Sequence, residues 1–259
     1  MNKWIVSSIL ILFIAATSWS LLHPQLFRVH DFIHAARVAE MARGISDGQI
    51  PVRWSANFAY GYGMPLFEFY SPLPYAVGAL LLLARIPLDI VVRLLFLIPS
   101  VMSVIIAYKL GKLWFAEPTA LLFAGVVALA PYRALNLYVR GAVAESWGMT
   151  FMLLTMYGMS GLVWKKKNSI VYIVLGLVGL VLSHNLSVLV AFPVLAIWIL
   201  VVIVAKSIVS KRKAEHFFSS LWTESKSVIL SLFFCERDRD WSYYFLLAAG
   251  PGRAAVHKH

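Results

Sequence analysis

Six apolar runs of near-membrane length, separated by short polar stretches, constrain this chain more than any other feature. They are Trp4–Leu22, Leu94–Tyr108, Leu113–Pro131, Trp147–Trp164, Ile170–Leu182 and Leu186–Ala205. A transmembrane helix needs roughly 20 apolar residues, and soluble domains do not string such runs together. The chain is 61% hydrophobic and 14% charged, whereas soluble domains carry about 25% charge. The expected fold is all-α: a polytopic transmembrane bundle of about six spans, with a long outer loop that includes juxtamembrane helices. The first run has one lysine before it and no small-x-small cleavage site, so it reads as an uncleaved span rather than a signal peptide.

The formal net charge of +11 is carried by lysines at the ends of apolar runs, which is the pattern of the positive-inside rule. Nucleic acid is therefore not the expected partner, and the lipid bilayer is. A single cysteine, Cys235, excludes an internal disulfide framework. Orientation depends on a further run, Leu73–Ala84, which is too short to cross. If it stays on one side, Lys3, Lys109, Lys112, Lys165–Lys167 and Lys206–Lys213 share one face, which must be cytoplasmic. The expectation is a multi-pass protein of the plasma (inner) membrane with a cytoplasmic N-terminus. Ile170–Leu182 is short, and a re-entrant pair at that point is the alternative.

The same topology puts three polar stretches on the outer face: His30–Tyr75, the island Tyr132–Glu145, and Ser183-His184-Asn185. The first begins with good helix formers from Asp31 to Arg43, with Gly44 as a C-cap, and continues as an aromatic-rich loop. Up to residue 213 this face has no lysine, but it has Arg28, Arg37, Arg43, Arg53, Arg85, Arg93, Arg133 and Arg140. Arginine forks suit phosphate. The other reading pairs them locally with acids such as Glu40 and Glu145, or lets them snorkel.

Asp31 stands just past the first span, either as a general base for an acceptor hydroxyl or as a helix-start residue favoured by the macrodipole. His30 and His34 have the i, i+4 spacing of a helical metal pair, but the spacing is also common in amphipathic helices. The aromatics around Arg53, Trp54, Tyr60 and Tyr62 read as an interfacial belt, and the glycines among them favour a tight loop on which a sugar or lipid could rest; the two readings are compatible. His184 is either a donor-binding residue or a helix-turn residue. Asn185-Leu186-Ser187 matches a glycosylation sequon lying too close to the bilayer to count.

The stretches HDFIHAARVAEMARGISDGQIPVRWSANFAYGYGMPLFEFYSPLPY, PYRALNLYVRGAVAE and LSHNLSVLVAFP resemble the GT-C superfamily of integral membrane glycosyltransferases. Within it they are most similar to bacterial polytopic proteins labelled 6-pyruvoyl-tetrahydropterin-synthase-related. The likeness covers about residues 1–234. It implies transfer of a sugar from a polyprenyl-phosphate carrier at the outer face, with Asp31 as the base and Arg133, Arg140 and His184 facing the lipid phosphate. The substrate-binding candidates are His30, His34, Arg37, Arg53, Tyr62, Arg133, Arg140, Glu145, His184 and Asn185. The Asp-x-Asp or Asp-x-Glu pair of metal-using members is absent from Tyr132–Glu145, so no cofactor is expected and a divalent metal has no support. Nothing resembles the histidine zinc site of the soluble pterin enzyme.

Residues 1–234 read as the membrane module, incomplete beside full-length members. Residues 235–259 lack its patterning, as a truncated or frame-shifted gene would. Two other classes fit the composition: a lipid or polymer transporter, and a non-catalytic envelope assembly protein. A transporter places ionisable residues in mid-span, and the middles of these runs are almost free of charge.

Overall fold

The structure is a computed structural model that describes residues 2–22, 29–209 and 225–226. Arg28, Lys211–Lys213 and the tail 235–259 lie outside the described residues. Two compact units divide the chain after Lys206; the first contains every candidate site residue.

Among its described residues all regular elements are helical apart from one isolated bridge. Helix α1, Lys3–Ser18, starts where the Asn2 side chain accepts the Trp4 N–H, and it tightens into a 3-10 turn at Trp19–Leu22. Helix α2 covers His34–Ser46. It begins three residues later than Asp31, which leaves that acid outside the helix. It also runs through Gly44, the expected cap. A side chain there would meet Val52 Cγ1 at 2.5 Å, so this glycine permits close packing instead of ending the helix.

Short helices α3, Leu66–Phe69, and α4, Leu73–Leu83, follow. Eleven residues rise only about 16 Å, short of the roughly 30 Å hydrocarbon core. Helix α5 is Leu88–Trp114, α6 is Glu117–Ala128 and α7 is Pro131–Ala134. From α7 the chain passes directly into a π-helical turn, Leu135–Arg140. Helices α8, Val143–Val163, α9, Ser169–Ser183, and α10, Asn185–Val209, complete the series.

Among the described residues three helices are long and apolar enough to cross a membrane: α1 with its 3-10 turn, α5 and α10. A fourth span results if α6 and 131–140, bent by 40°, count as one. Six spans are not shown by this measure among the described residues. Helix α9 has only 15 residues. Helix α8 has the length, but Ser146, Thr150, Thr155 and its glycines dilute its apolar character. Helix α5 also starts at Leu88, earlier than the apolar run suggested, because Asp89 and Arg93 pair one turn apart on its first turns.

Among the described residues the polar stretches lie at one end of this unit, and Lys112 and Lys165 at the other. At one end His30 and Asp31 bond to residues 139–140, and His184 lies on Gly148. At the other, Trp114 meets Trp164 and Trp198 with ring centroids 5.7 and 6.4 Å apart, beside Lys112 and Lys165.

Pro99 sits inside α5 and has no N–H to give the Leu95 carbonyl. The indole N–H of Trp147, on α8, donates to that carbonyl at 2.7 Å. The defect in one helix is thus satisfied by its neighbour, and α5 is fixed against α8 beside the site.

Candidate functional site

The site starts from a short piece of extended chain. The N–H of His30 donates to Val139 O at 3.0 Å, and that of Asp31 to Arg140 O at 2.9 Å. Gly141, in the left-handed region at φ +67°, ends the π-helical turn. A Cβ there would meet Val29 Cγ2 at 2.5 Å. Glycine is therefore required twice, for its backbone angle and for the space.

His34 locks this junction. Its Nε2–H donates to Gly141 O at 2.5 Å, and its Nδ1 pairs with the Tyr75 hydroxyl at 3.0 Å. A carbonyl can only accept, so Nε2 carries the proton and neutral Nδ1 accepts from Tyr75. The Tyr75 oxygen in turn accepts from Arg37 Nη1 at 3.1 Å, and the Arg37 guanidinium lies 4.0 Å from the Tyr70 ring centroid. Burial is the main cause holding the His34 imidazole below its usual range, with Arg37 adding to it; the Gly141 carbonyl and Asp31 oppose. Burial likewise pushes the Tyr75 phenol up. His34 and Arg37 are thus committed to placing residues 29–31. Both ring nitrogens of His34 are occupied, so it has no lone pair for a metal shared with His30.

Asp31 itself is 45% exposed, and one of its oxygens lies 3.1 Å from His30 Nδ1. Beside it Arg140 Nη1 contacts Glu145 Oε2 at 2.7 Å, Asn136 Oδ1 at 2.7 Å and Tyr132 Oη at 3.3 Å. Tyr132 donates to the other oxygen of Glu145. His184 belongs to this group electrostatically, since it feels the charges of both Glu145 and Arg140. Its Nδ1 accepts the Ser187 N–H at 3.2 Å and lies 2.6 Å from Ser187 Oγ. That contact caps the start of α10, so the neutral ring carries its proton on Nε2. Burial lowers the His184 pKa, helped by Arg140 and opposed by Glu145.

Arg133 goes elsewhere. Its Nη1 donates to Ser103 Oγ at 2.5 Å, and among the described residues it meets no carboxylate. The two arginines that the resemblance sets against one lipid phosphate have different protein partners here. Arg140 is neutralised by Glu145, while Arg133 lines a cavity of about 390 Å³ between α1, α5, α6 and α8.

Arg53, Tyr62 and Asn185 are held by separate contacts. Arg53 pairs with Glu68 at 3.2 Å in an exposed contact of small energetic weight. Tyr62 is exposed at the tip of a hairpin closed by Ser55 and Met64, which bond in both directions at 2.9 and 3.0 Å. The carboxylate of Glu40 anchors that hairpin by accepting the Asn57 N–H at 3.0 Å. Asn185 accepts from Ser71 at 2.7 Å and donates to Phe69 O at 3.0 Å, tying α10 to the segment before α4.

Comparison with known proteins finds one distant likeness. The chain is 24% identical over 178 residues to an uncharacterized protein of Lactococcus lactis subsp. cremoris (strain MG1363), covering 66% of this chain. It spans 29% of that relative, less than a third of its length. No protein-family model matches the chain, and no solved structure does.

Four contributors were not singled out from the sequence: Tyr75, Ser103, Tyr132 and Asn136. Ser103 and its neighbour Ser100 did carry a signal, as polar residues next to a proline within an apolar helix. Tyr75 carried none, because its role depends on where α4 packs.

Proposed function

We propose that this chain is the site-bearing part of a membrane glycosyltransferase that takes a sugar from a polyprenyl-phosphate carrier at the outer membrane face. The observation that supports this reading is the bond from the Asp31 N–H to the Arg140 carbonyl. It seats a half-exposed carboxylate at the edge of a cluster containing a cation, a phenol and an imidazole. In the reaction, Asp31 takes the proton of an acceptor hydroxyl as that oxygen bonds to the sugar's anomeric carbon. The bond from that carbon to the phosphate oxygen breaks, and the electron pair leaves with the lipid phosphate. Arg140 makes its three contacts through Nη1 alone and is 46% exposed, so its other nitrogens and the His184 Nε2–H remain for the departing charge.

Asp31→Asn keeps the shape and removes the base. Transfer from a labelled polyprenyl-phosphate hexose, measured in membranes carrying the natural gene, should fall about 10²- to 10⁴-fold. Insertion and thermal stability should be unchanged. Full transfer by Asp31→Asn would reduce this acid to a residue that orders the chain before α2.

A further inference from the structure

We infer that the hairpin from Arg53 to Met64 is a binding platform for a neutral oligosaccharide. Tyr60 and Tyr62 are almost fully exposed, and Trp54 is 47% exposed. Each of these rings offers a flat apolar face together with a hydroxyl or indole N–H. Such side chains give a large contact area at a low cost in lost rotamers, and a pyranose matches them with an apolar C–H face and a rim of hydroxyls. Trp54 lies at the base, next to the Ser55–Met64 pair, and Tyr60 lies at the tip. The rings are thus spread along the hairpin and serve more than one sugar unit.

The hairpin is fixed along its length. Ser55 and Met64 bond in both directions, and the Phe67 N–H donates to Arg53 O at 3.2 Å. Buried Glu40 accepts the Asn57 N–H at 3.0 Å. A Cβ on Gly63 would stand 2.5 Å from Trp54 Nε1, so the indole is braced on that backbone. The tip carries two consecutive non-glycine residues in the left-handed region, Ala59 at φ +53° and Tyr60 at φ +58°. Such a backbone costs free energy, persists only where the surroundings over-determine it, and clusters at ligand clamps. A bilayer surface takes up apolar side chains without asking for a fixed backbone, whereas a sugar gains affinity from rings held ready in place. Arg53 is paired with Glu68 at 3.2 Å, which gives hydroxyls a donor and an acceptor and suits a neutral ligand over an acidic one.

The hairpin also has a direction. Val52 packs on Gly44 and Asn57 bonds to Glu40, so the chain runs back along α2 by about 6 Å on its way to the tip. It heads toward the start of α2, the end at which Asp31 lies. On the transferase reading, on which this clause alone rests, the sugar chain held here is the acceptor.

The test uses the full chain in detergent, with no sugar donor present, against an array of neutral oligosaccharides of the gluco-, galacto- and N-acetylhexosamine series and their uronate counterparts. Affinities are read by titration calorimetry. At least one neutral series should bind, and its uronate counterpart should bind about tenfold more weakly or worse. Trp54→Leu keeps an apolar side chain but removes the flat ring, and Tyr62→Ser removes an exposed ring far from the brace on Gly63. Each should weaken binding about 2- to 12-fold, the value of one aromatic contact. A nitroxide at Tyr60→Cys, in a Cys235→Ser background in nanodiscs, should be relaxed by an aqueous nickel chelate more than by oxygen. Binding by no neutral member, equal binding by the uronates, or unchanged binding in either ring variant would overturn the platform. Stronger relaxation by oxygen would give the hairpin to the lipid surface instead. A chain that binds the sugar but transfers nothing to it would reject the proposed function and leave the platform standing.

Discussion

The contact between Trp147 and the carbonyl freed by Pro99 predicts a specific non-additivity. Trp147 is 5% exposed, Leu95 is fully buried, and the bond between them is 2.7 Å long. Trp147→Phe keeps an aromatic ring but leaves the Leu95 carbonyl without a donor. An orphaned buried acceptor costs about 1–3 kcal/mol, and the lost part of the indole adds a packing loss. Pro99→Ala restores an N–H four residues beyond Leu95, where the helix itself can satisfy that oxygen. In the Pro99→Ala background the same Trp147→Phe change should cost only the packing part. The expected coupling is therefore about 1–2 kcal/mol, measured as a double-mutant cycle on unfolding of the purified chain in detergent. The Thr150 hydroxyl reaches the Pro99 carbonyl, not its nitrogen, at 3.1 Å, so it does not enter the cycle. Additive effects, within about 0.3–0.5 kcal/mol, would show that the indole contributes ring packing alone. They would also remove the account of how α5 and α8 are fixed beside the cavity.

Two other measurements test the junction at Gly141. His34 has a depressed pKa in the folded state, so the unfolded chain takes up a proton first as pH falls below about 6.5. Stability should be flat above that value and should decline below it, by at most about 1.4 kcal/mol per pH unit for one proton. His184 shifts in the same direction, so His34→Gln should reduce the acid slope without abolishing it; equal slopes between pH 5 and 6.5 would refute the role of His34. Gly141→Ala should destabilise by about 1–2 kcal/mol from its backbone angle alone, more with the Val29 contact. It should also speed hydrogen exchange at the His30 and Asp31 amides, and unchanged protection there would mean that the 29–31 segment does not depend on Gly141.

The apolar runs predict an all-α chain because composition and length decide helix formation in a bilayer, and those quantities are legible without neighbours. The short run at Leu73 was readable for the same reason. Counting apolar runs gives six spans, and α8 and α9 are two that length and composition together do not support. Serine, threonine and glycine on α8 serve helix-to-helix packing, which a linear reading cannot separate from lipid exposure. Gly44 looked like a cap because only its own strand of sequence was visible, while the reason for the glycine, Val52, comes from the return of the loop. Local pairing of Arg43, Arg53, Arg93 and Arg140 with acids was one of two open readings, and the structure shows each of those four beside a carboxylate.

The separation of Arg133 from Arg140 has a more specific origin. Seven residues apart on an α-helix, two side chains lie about 20° from alignment and share a face. On that geometry both arginines would point at one ligand, as the family resemblance implies. The π-helical turn at Leu135–Arg140 lies between them and breaks that phase. Such turns occur frequently at functional sites. Here it lets one short segment serve two neighbours: Arg133 reaches Ser103 on α5, and Arg140 reaches Glu145 on α8. Nothing in LNLYVR announces an extra residue in the turn, because the cause lies in where Gly141 must meet Val29 and His34. That contact fixes the end of the segment, Pro131 fixes its start, and the residues between them take up the difference. Among the described residues Arg133 is left without a carboxylate, and that follows from this fit.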